Sequence, residues 1–389
     1  MPLHKNPNLI FFNPRTQTIN LGDVIINKNL LTILRNFGQV VVKDSKTPST
    51  FLDEIGVFES EYYTHTYSGH YFLSIIYEVF KRKIQGNKVN VYLFYAPGHQ
   101  LPLGSKLVHK LLYLSMLSFM SIIGVRICRL GISIGDFKPG EQLFLKLNSH
   151  MMFFLGIRDS FSQQYARFIG LKNIGHFPDL AWAQENRTFE YVSSNSGNTE
   201  PSCIVFSFRD TVRFCGGKYR LDEHLLPILD ELVEKLCKQN GMKLVLCYQV
   251  DYDRLFMKKL EDRYKSEISQ ITFIDERLKE ERVANIYSKD SVIVTNRLHV
   301  FLFAAMCGSI PVVLINSRVQ MKITGILKDA YLDEVLIDID SKSGQTFSSR
   351  LESIIENRSQ ITQKISLLHN QYHRQLLEIL NNTIFDRAA

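Results

Sequence analysis

An arginine and a histidine lie two positions apart where the sequence predicts the start of a helix. The apolar run Ser291–Thr295 leads through Asn296 to Arg297, Leu298 and His299, and an Ala-rich stretch follows. Backbone N–H groups at a helix start favour anions, and a guanidinium can donate two parallel hydrogen bonds to a phosphate or carboxylate. Histidine titrates near neutral pH and can transfer a proton. We therefore predict an anion-binding and proton-transfer site here; a buried structural histidine is the alternative.

Two further cations follow apolar runs that are typical of buried strands. Arg209 comes directly after Cys203–Phe208, and Lys322 comes shortly after Ile310–Leu314. In doubly wound α/β domains, ligands bind at the carboxyl ends of the strands. We expect Arg209 to bind a carboxylate or phosphate there, and Lys322 is close enough in sequence to reach the same place.

The segment Ile19–Asn27 adds weaker candidates near the start of the chain. It follows an apolar run and opens a predicted helix. Gly22 permits a tight turn of the backbone, and Asp23 could cap the helix or act as a base. The pattern fits an ordinary helix start as well as it fits a site.

Two more segments of the first half lie at the ends of predicted strands. The glycines of Gly131–Gly135 would let the backbone approach a ligand or another chain segment closely, or they form an ordinary turn. Arg158 could bind an anion or pair with a nearby carboxylate. Asp159 or Ser160 is placed to cap the next helix.

The sequence predicts neither a metal nor a cofactor. Two Asp-x-Asp patterns, Asp251–Asp253 and Asp338–Asp340, fall at predicted element boundaries, where aspartate commonly caps a helix. The histidines show no spacing typical of metal ligands. The six cysteines form no CxxC pair and mostly lie in apolar runs, which favours buried thiols in a reducing cytosol.

Composition excludes several classes of protein. The 389 residues are 45% hydrophobic and 22% charged, so the chain is neither disordered, collagenous nor a coiled coil. Lys and Arg number 46 against 39 Asp and Glu, giving a net charge of +7. This mild excess suits an anionic ligand or a membrane surface. Because no block of basic residues occurs, we expect no nucleic-acid partner.

Short apolar runs alternate with longer amphipathic segments, which predicts parallel sheets with helices on both faces. The predicted strands are Leu9–Phe12, Val40–Val42, Val89–Phe94, Val125–Ile132, Phe153–Ile157, Cys203–Phe208, Lys243–Tyr248, Ile271–Ile274, Ser291–Thr295 and Ile310–Leu314. We predict an α/β fold of two Rossmann-like domains facing across a cleft, with C-terminal helices.

A polar, Ser- and Asn-rich stretch, Glu185–Pro201, is the predicted boundary between the halves. The expected domains are residues 1–190 and 200–345, each Rossmann-like. Residues 346–389 are expected to form a tail of one or two amphipathic helices.

Two aromatic or apolar segments bear on the compartment. The run Leu111–Val125 is too short to span a bilayer, and we predict a buried helix. The Tyr- and Phe-rich stretch Tyr62–Phe80 suits a peripheral enzyme at an anionic inner leaflet or, equally, a buried aromatic helix. The first residues lack the apolar core of a signal peptide, so we expect a cytoplasmic protein.

Taken in order, these segments resemble the polysaccharide pyruvyl transferase family over roughly residues 8 to 330. The Arg-Leu-His triplet after a buried strand is the most specific match. The matching positions are Asn20, Gly22 and Asp23; Gly131–Gly135; Arg158–Ser162; Gly170; Pro178–Asp179; Arg209; Arg297–His299; Gly308–Pro311; and Lys322.

The resemblance implies a GT-B-like transferase whose second domain binds the donor and whose first domain binds the acceptor. It implies transfer of pyruvyl from phosphoenolpyruvate to a glycan or lipid-linked glycan, in bacterial capsule, O-antigen or exopolysaccharide synthesis. Arg209, Arg297 and His299 would hold the donor's phosphate and carboxylate. The other donor-binding residues that it implies are Asn20, Gly22, Leu298 and Lys322. His299 would be the acid and Asp23 the base.

The chain departs from the family's pattern at Phe94–Ser105, where Pro97 and His99 replace small residues. His99 is therefore a second candidate base. The same scaffold could instead bind a nucleotide-activated sugar, including a CMP-activated acidic keto-sugar, which would make the protein a GT-B glycosyltransferase. A non-catalytic binding protein of the same fold is a third hypothesis.

Overall fold

The computed structural model describes residues 8–86, 90–100, 106–135, 137–184, 200–209, 221–341 and 345–385. Contacts divide the chain into two units. Unit 1 comprises Met1–Thr18, Asp23–Ala183 and Tyr372–Ala389; unit 2 comprises Ile19–Gly22 and Gln184–Gln371. Residues 185–199 of the predicted linker lie outside the described residues.

Unit 1 is built on a parallel sheet. Its strands are β1 (Leu9–Asn13), β2 (Gln39–Val42), β3 (Val91–Tyr95), β4 (Gly98–Gln100), β5 (Arg126–Ile134), β6 (Phe154–Ile157) and β7 (Ile174–His176). Their order is β2-β1-β3-β5-β6-β7, and β4 pairs with β5. The helices are α1 (Leu21–Arg35), α2 (Ser49–Glu54), α3 (Tyr63–Thr66), α4 (Tyr71–Ile84), α5 (Leu107–Ile122), α6 (Pro139–Met151) and α7 (Ser160–Phe168).

The central strands of this sheet are buried on both faces. In β1, Phe11 packs in a core with Ile75 of α4 and Leu117 of α5. Its neighbours Ile10 and Phe12, whose side chains point to the opposite face, are also fully buried. Such strands need continuous apolar sequence, which is why Leu9–Phe12 could be predicted.

Unit 2 has a second parallel sheet. Its strands are β8 (Cys203–Ser207), β9 (Lys243–Tyr248), β10 (Ile271–Arg277), β11 (Ser291–Thr295), β12 (Ile310–Ile315) and β13 (Leu336–Asp338). Their order is β10-β9-β8-β11-β12-β13, the strand order of dinucleotide-binding domains. The helices are α8 (Leu221–Leu232), α9 (Arg254–Tyr264), α10 (Glu280–Ile286), α11 (Leu298–Met306), α12 (Met321–Asp329), α13 (Phe347–Glu356) and α14 (Arg358–Ile379).

The predicted α/β class and its C-terminal helices are confirmed. Each predicted strand corresponds to an observed one, although residue 89 of the predicted Val89–Phe94 lies outside the described residues. The short strands β4, β7 and β13 were not predicted, because three residues such as Gly98–Gln100 show no apolar run. After α14 the chain ends in unit 1, where Phe385 stacks on Phe37 with centroids 4.2 Å apart.

The prediction of a helix in Leu111–Val125 is confirmed up to Ile122, where helix α5 ends, but the helix is buried on one side only. That side packs Leu114, Leu117 and Met120 against the sheet. The opposite side is exposed although it includes large apolar side chains. Among the described residues, no helix is both long and apolar enough to cross a membrane.

Candidate functional site

The predicted cations of unit 2 lie at the point where the strand order of its sheet reverses. Strands β8 and β11 are neighbours there, and Ser207 pairs with Thr295 at their carboxyl ends. Arg209 and Arg297 each follow two residues beyond this pair. Ligands of doubly wound sheets bind at this reversal point, so the two arginines occupy the position most favourable for a ligand.

Two polar residues, Thr295 at the end of β11 and Asn296 directly after it, connect the segments that follow β8 and β11. Thr295 Oγ1 donates to the Ser207 carbonyl at 2.6 Å and accepts from the Arg297 N–H at 3.0 Å. The Asn296 side chain accepts from the Arg209 N–H at 2.6 Å and donates to the Arg209 carbonyl at 3.3 Å. Both residues are fully buried, so they set the backbone positions of the two arginines. The sequence alone does not indicate this role of Asn296.

Arg297 forms a buried ion pair with Asp253, and both side chains are under 10% exposed. Asp253 ends the short turn Asp251–Asp253 before α9, and its side chain makes no capping hydrogen bond. The expectation that Asp253 acts as a cap is therefore wrong. A buried guanidinium needs such a partner, because an uncompensated buried charge is costly. The pair compensates the charge of Arg297 and restrains its orientation.

His299 is the second residue of α11 and is partly buried. Its ring stacks on Phe303, with centroids 5.9 Å apart and planes 15° from parallel. It also contacts Gly22: a Cβ at that position would lie 2.1 Å from His299 Nδ1. Only glycine therefore fits at position 22 with the ring where it is.

The segment Ile19–Gly22 reaches this histidine by joining unit 2. Asn20 forms an antiparallel bridge with Val250, and the Leu21 N–H donates to the Gln249 carbonyl at 3.2 Å. The Asn20 side chain accepts from the Gly22 N–H at 3.0 Å, as a helix cap does. Asn20, not Asp23, thus caps α1, and Gly22 is needed for close approach to a ring, not for a tight turn.

Lys322 and Leu298 are the remaining site residues that the sequence predicts in unit 2. Lys322 lies in the first turn of α12 and is partly buried. Just before it, Gln320 donates from Nε2 to the Asn296 carbonyl at 3.1 Å, which ties the start of α12 to the arginine loops. Leu298 begins α11 and is buried.

Asp23 and His99 belong to unit 1, at the carboxyl edge of its own sheet. His99 lies in β4 and is exposed, with Nδ1 3.2 Å from the Ser133 carbonyl oxygen. A Cβ at Gly135 would lie 3.2 Å from the His99 ring, and one at Gly98 would lie 3.2 Å from Asp23 Oδ1. Asp23 is buried. The structure thus places Asp23 beside Gly98, and the adjacent His99 beside Gly135 at the end of the GISIG segment. Residues 101–105 of the departing segment lie outside the described residues.

The family model for polysaccharide pyruvyl transferase matches residues 20–318. The chain belongs to the polysaccharide pyruvyl transferase family. It is a transferase, as the resemblance of its motifs implied. A search of curated proteins found no match.

Solved structures similar to this family member share its GT-B-like fold. A glycosyltransferase from Rickettsia africae is 9% identical, with 99% of this chain and 100% of the other covered, at a TM-score of 0.56. A putative UDP-N-acetylglucosamine 2-epimerase from Listeria monocytogenes is 10% identical, with 97% and 96% covered, at 0.55. The S. aureus MnaA–UDP co-structure is 11% identical, with 96% and 95% covered, at 0.54.

Arg158, another arginine of the family motifs, lies in a buried network of polar side chains. Arg158 pairs with Asp179, and both side chains are at most 3% exposed. Arg158 Nε donates to Ser133 Oγ at 2.7 Å, and that hydroxyl donates to Asp159 at 2.7 Å. Asp159 also caps α7 by accepting from the Ser162 N–H at 2.8 Å, as predicted. Of the two alternatives for Arg158, the structure therefore supports pairing with a carboxylate.

Proposed function

We propose that this transferase moves the pyruvyl unit of phosphoenolpyruvate onto a sugar hydroxyl of a glycan or lipid-linked glycan. The product would belong to a bacterial capsule, O-antigen or exopolysaccharide, made in the cytoplasm at the inner face of the membrane. The observation that supports this most is the pair of arginines with His299 at the strand reversal of unit 2. No metal or further cofactor enters the proposal.

The donor would bind through cations. Phosphoenolpyruvate has a phosphate and a carboxylate close together, and an arginine suits each because it donates two parallel hydrogen bonds. Arg209 and Arg297 are held on adjacent strands by the same asparagine, Asn296, which favours one ligand spanning both. Lys322 would add the positive charge of its ammonium group to those of the two arginines. This addition matters because Asp253 already offsets the charge of Arg297.

His299 would act as the acid. A proton added to the donor's methylene carbon makes a methyl group and leaves positive charge on the central carbon. A sugar hydroxyl then bonds to this carbon and loses its proton. The bond from the carbon to the phosphate oxygen breaks, and phosphate leaves. A second hydroxyl of the acceptor bonds to the same carbon and loses its proton in turn, which closes the ketal and restores the proton that the acid gave up. Gly22 and Phe303 hold the imidazole from two directions, so the proton would be delivered from a restrained ring. Asn20 and Leu298 would position this segment.

A base must accept the proton of the attacking hydroxyl. Asp23 directly follows Gly22 in the chain, which favours Asp23 for this role. His99 is the second candidate because it is exposed and lies beside Gly135, the residue that follows β5. Substituting each separately, Asp23→Asn and His99→Gln, would distinguish them by the loss of rate.

A nucleotide-activated sugar is the alternative donor. The S. aureus relative was solved with UDP, and unit 2 has the strand order of nucleotide-binding domains. Donors such as a CMP-linked acidic keto-sugar also have a carboxylate next to the reacting carbon, so the same arginines would serve. Under this alternative the protein would be a GT-B glycosyltransferase.

The direct test is phosphate release from phosphoenolpyruvate in the presence of a panel of hexose- and N-acetylhexosamine-terminated oligosaccharides. We expect release to need an acceptor and to fall by about 10²–10⁴-fold in His299→Gln, the range typical of a lost acid or base. Arg263→Gln, a surface change in the same unit, should leave the rate unchanged. Sugar transfer from UDP- or CMP-sugars without any phosphate release would contradict pyruvyl transfer.

A further inference from the structure

Two helices of unit 1 have rows of exposed apolar side chains. Helix α4 exposes four, spaced so that they form one stripe, and α5 exposes six. These ten, which we call the α4–α5 face, are Leu73, Tyr77, Phe80, Ile84, Leu107, Val108, Leu111, Leu112, Phe119 and Ile122. They are ten of the 21 large apolar side chains that are exposed among the described residues. Monomeric proteins rarely concentrate exposed apolar surface in this way unless it binds a partner.

The two helices lie side by side. Ile75 and Val79 of α4 share one core with Leu117 and Met120 of α5, on the same face of the sheet. Lys83 Nζ, at the end of α4, donates to the Ile123 carbonyl just after α5 at 2.8 Å. The exposed stripes therefore belong to one layer and face the same way, away from the sheet.

The chain segment that contains most of this face is basic. From Val79 to Gly135 the chain has no Asp or Glu but eight Lys and Arg residues. Lys81 and Lys106 are exposed and border the two stripes. The adjacent acid, Glu78, is buried and is compensated by Arg82 at 3.1 Å and Lys81 at 3.5 Å. An anionic surface would meet no opposing carboxylate along this stretch.

Exposed apolar side chains next to lysines favour a lipid partner over a protein partner. Protein interfaces are depleted in lysine, and two copies of this face would bring like charges together. Helices that lie in a membrane interface combine exposed Leu, Phe and Ile with Lys and Arg, whose long side chains reach the headgroup phosphates.

We propose that the α4–α5 face docks on an anionic lipid bilayer. Its apolar side chains enter the headgroup region, and Lys81 and Lys106 bind the anionic headgroups beside them. This inference goes beyond the proposed reaction, because it depends on exposed residues of unit 1 and on no property of the donor site.

The test is co-sedimentation of the full chain with phosphatidylcholine vesicles, with and without phosphatidylglycerol. We expect binding only when phosphatidylglycerol is present, and weaker binding at high salt. The variant Lys81→Gln with Lys106→Gln should bind about 25-fold more weakly, since each basic residue near a membrane contributes about fivefold. Replacing Leu112, Ile84 and Ile122 by Ser should weaken binding by at least about tenfold.

Leu367→Ser, an equally exposed apolar position in unit 2, is the matched control and should bind as the unchanged protein does. Circular dichroism would establish that each variant is folded, and the lysine variant tests the proposal even if the serine variant is not. The proposal is overturned if neither vesicle binds the protein, or if both variants bind as well as the control. It is equally overturned if light scattering shows a dimer that the serine variant abolishes while vesicles have no effect.

Discussion

Each unit holds a buried arginine–aspartate pair at the carboxyl edge of a parallel sheet, but the two pairs have different surroundings. Arg158 and Asp179 are joined by Ser133 and Asp159 into a network in which every member is at most 5% exposed. Arg297 and Asp253 are as deeply buried, yet the partly exposed Arg209, His299 and Lys322 lie on the elements around them. The first pair stabilises the fold, and the second supports a group of residues that a ligand can reach.

Strand order accounts for the difference. Arg158 follows β6, which is two strands away from the reversal between β1 and β3 in unit 1. Arg297 follows β11, which lies at the reversal in unit 2. The strand order therefore favours a ligand-binding role for an arginine after β11 and a structural role for one after β6.

The largest expected effect is on folding in unit 1. Replacing Arg158 by Met leaves Asp179 buried without its partner, which typically costs about 3–5 kcal/mol of unfolding free energy. Urea denaturation measures this loss. The double variant Arg158→Met with Asp179→Leu should recover much of it, because a well-packed apolar pair can replace a buried ion pair. An Arg158→Met protein as stable as the unchanged one would contradict a structural role.

The next effect is on the position of His299. In Gly22→Ala the new Cβ would lie 2.1 Å from Nδ1, so the ring or the start of α1 must move. We expect phosphate release to fall by about 100-fold, the scale of a misplacement of roughly 1 Å. Gly140→Ala is the matched control: it is also in the first turn of a helix, with no atom within 4 Å of the added Cβ. Equal activity of the two variants would show that His299 need not be held.

The smallest effect concerns an exposed ion pair, which contrasts with both buried ones. The hydrogen bond from Arg263 lowers the pKa of Asp230 below its usual 3.8. This pair therefore stabilises the folded state above about pH 4, and the contribution is lost as the pH falls through the lowered pKa. Asp230→Asn should cost less than about 1 kcal/mol at pH 7, because both side chains are over a third exposed. Urea unfolding at pH 7 and pH 3 would show the difference, which should shrink at the lower pH.

The sheets could be predicted because their central strands are continuous apolar runs. The exposed side of α5 could not be predicted, because the length and polarity of Leu111–Val125 do not show which side of the helix packs against the sheet. Arg209, Arg297 and His299 could be singled out because each follows such a run. The resemblance placed Gly22 at the donor site, but its contact with the His299 ring could not be predicted. Nor could the pairing of Asp253 with Arg297, since only folding brings these distant segments together. The Asp-Tyr-Asp pattern by itself fits a helix cap.

The proposed function depends on phosphoenolpyruvate binding at the carboxyl ends of β8 and β11 in unit 2. A thermal-shift screen against phosphoenolpyruvate, CMP, UDP and GDP tests it most directly, because a bound ligand raises the melting temperature with its concentration. We expect a shift with phosphoenolpyruvate that is lost in Arg209→Ala, whose side chain is partly exposed, and kept in Arg263→Gln. A shift with one nucleotide and none with phosphoenolpyruvate would rule out this donor and favour the glycosyltransferase alternative.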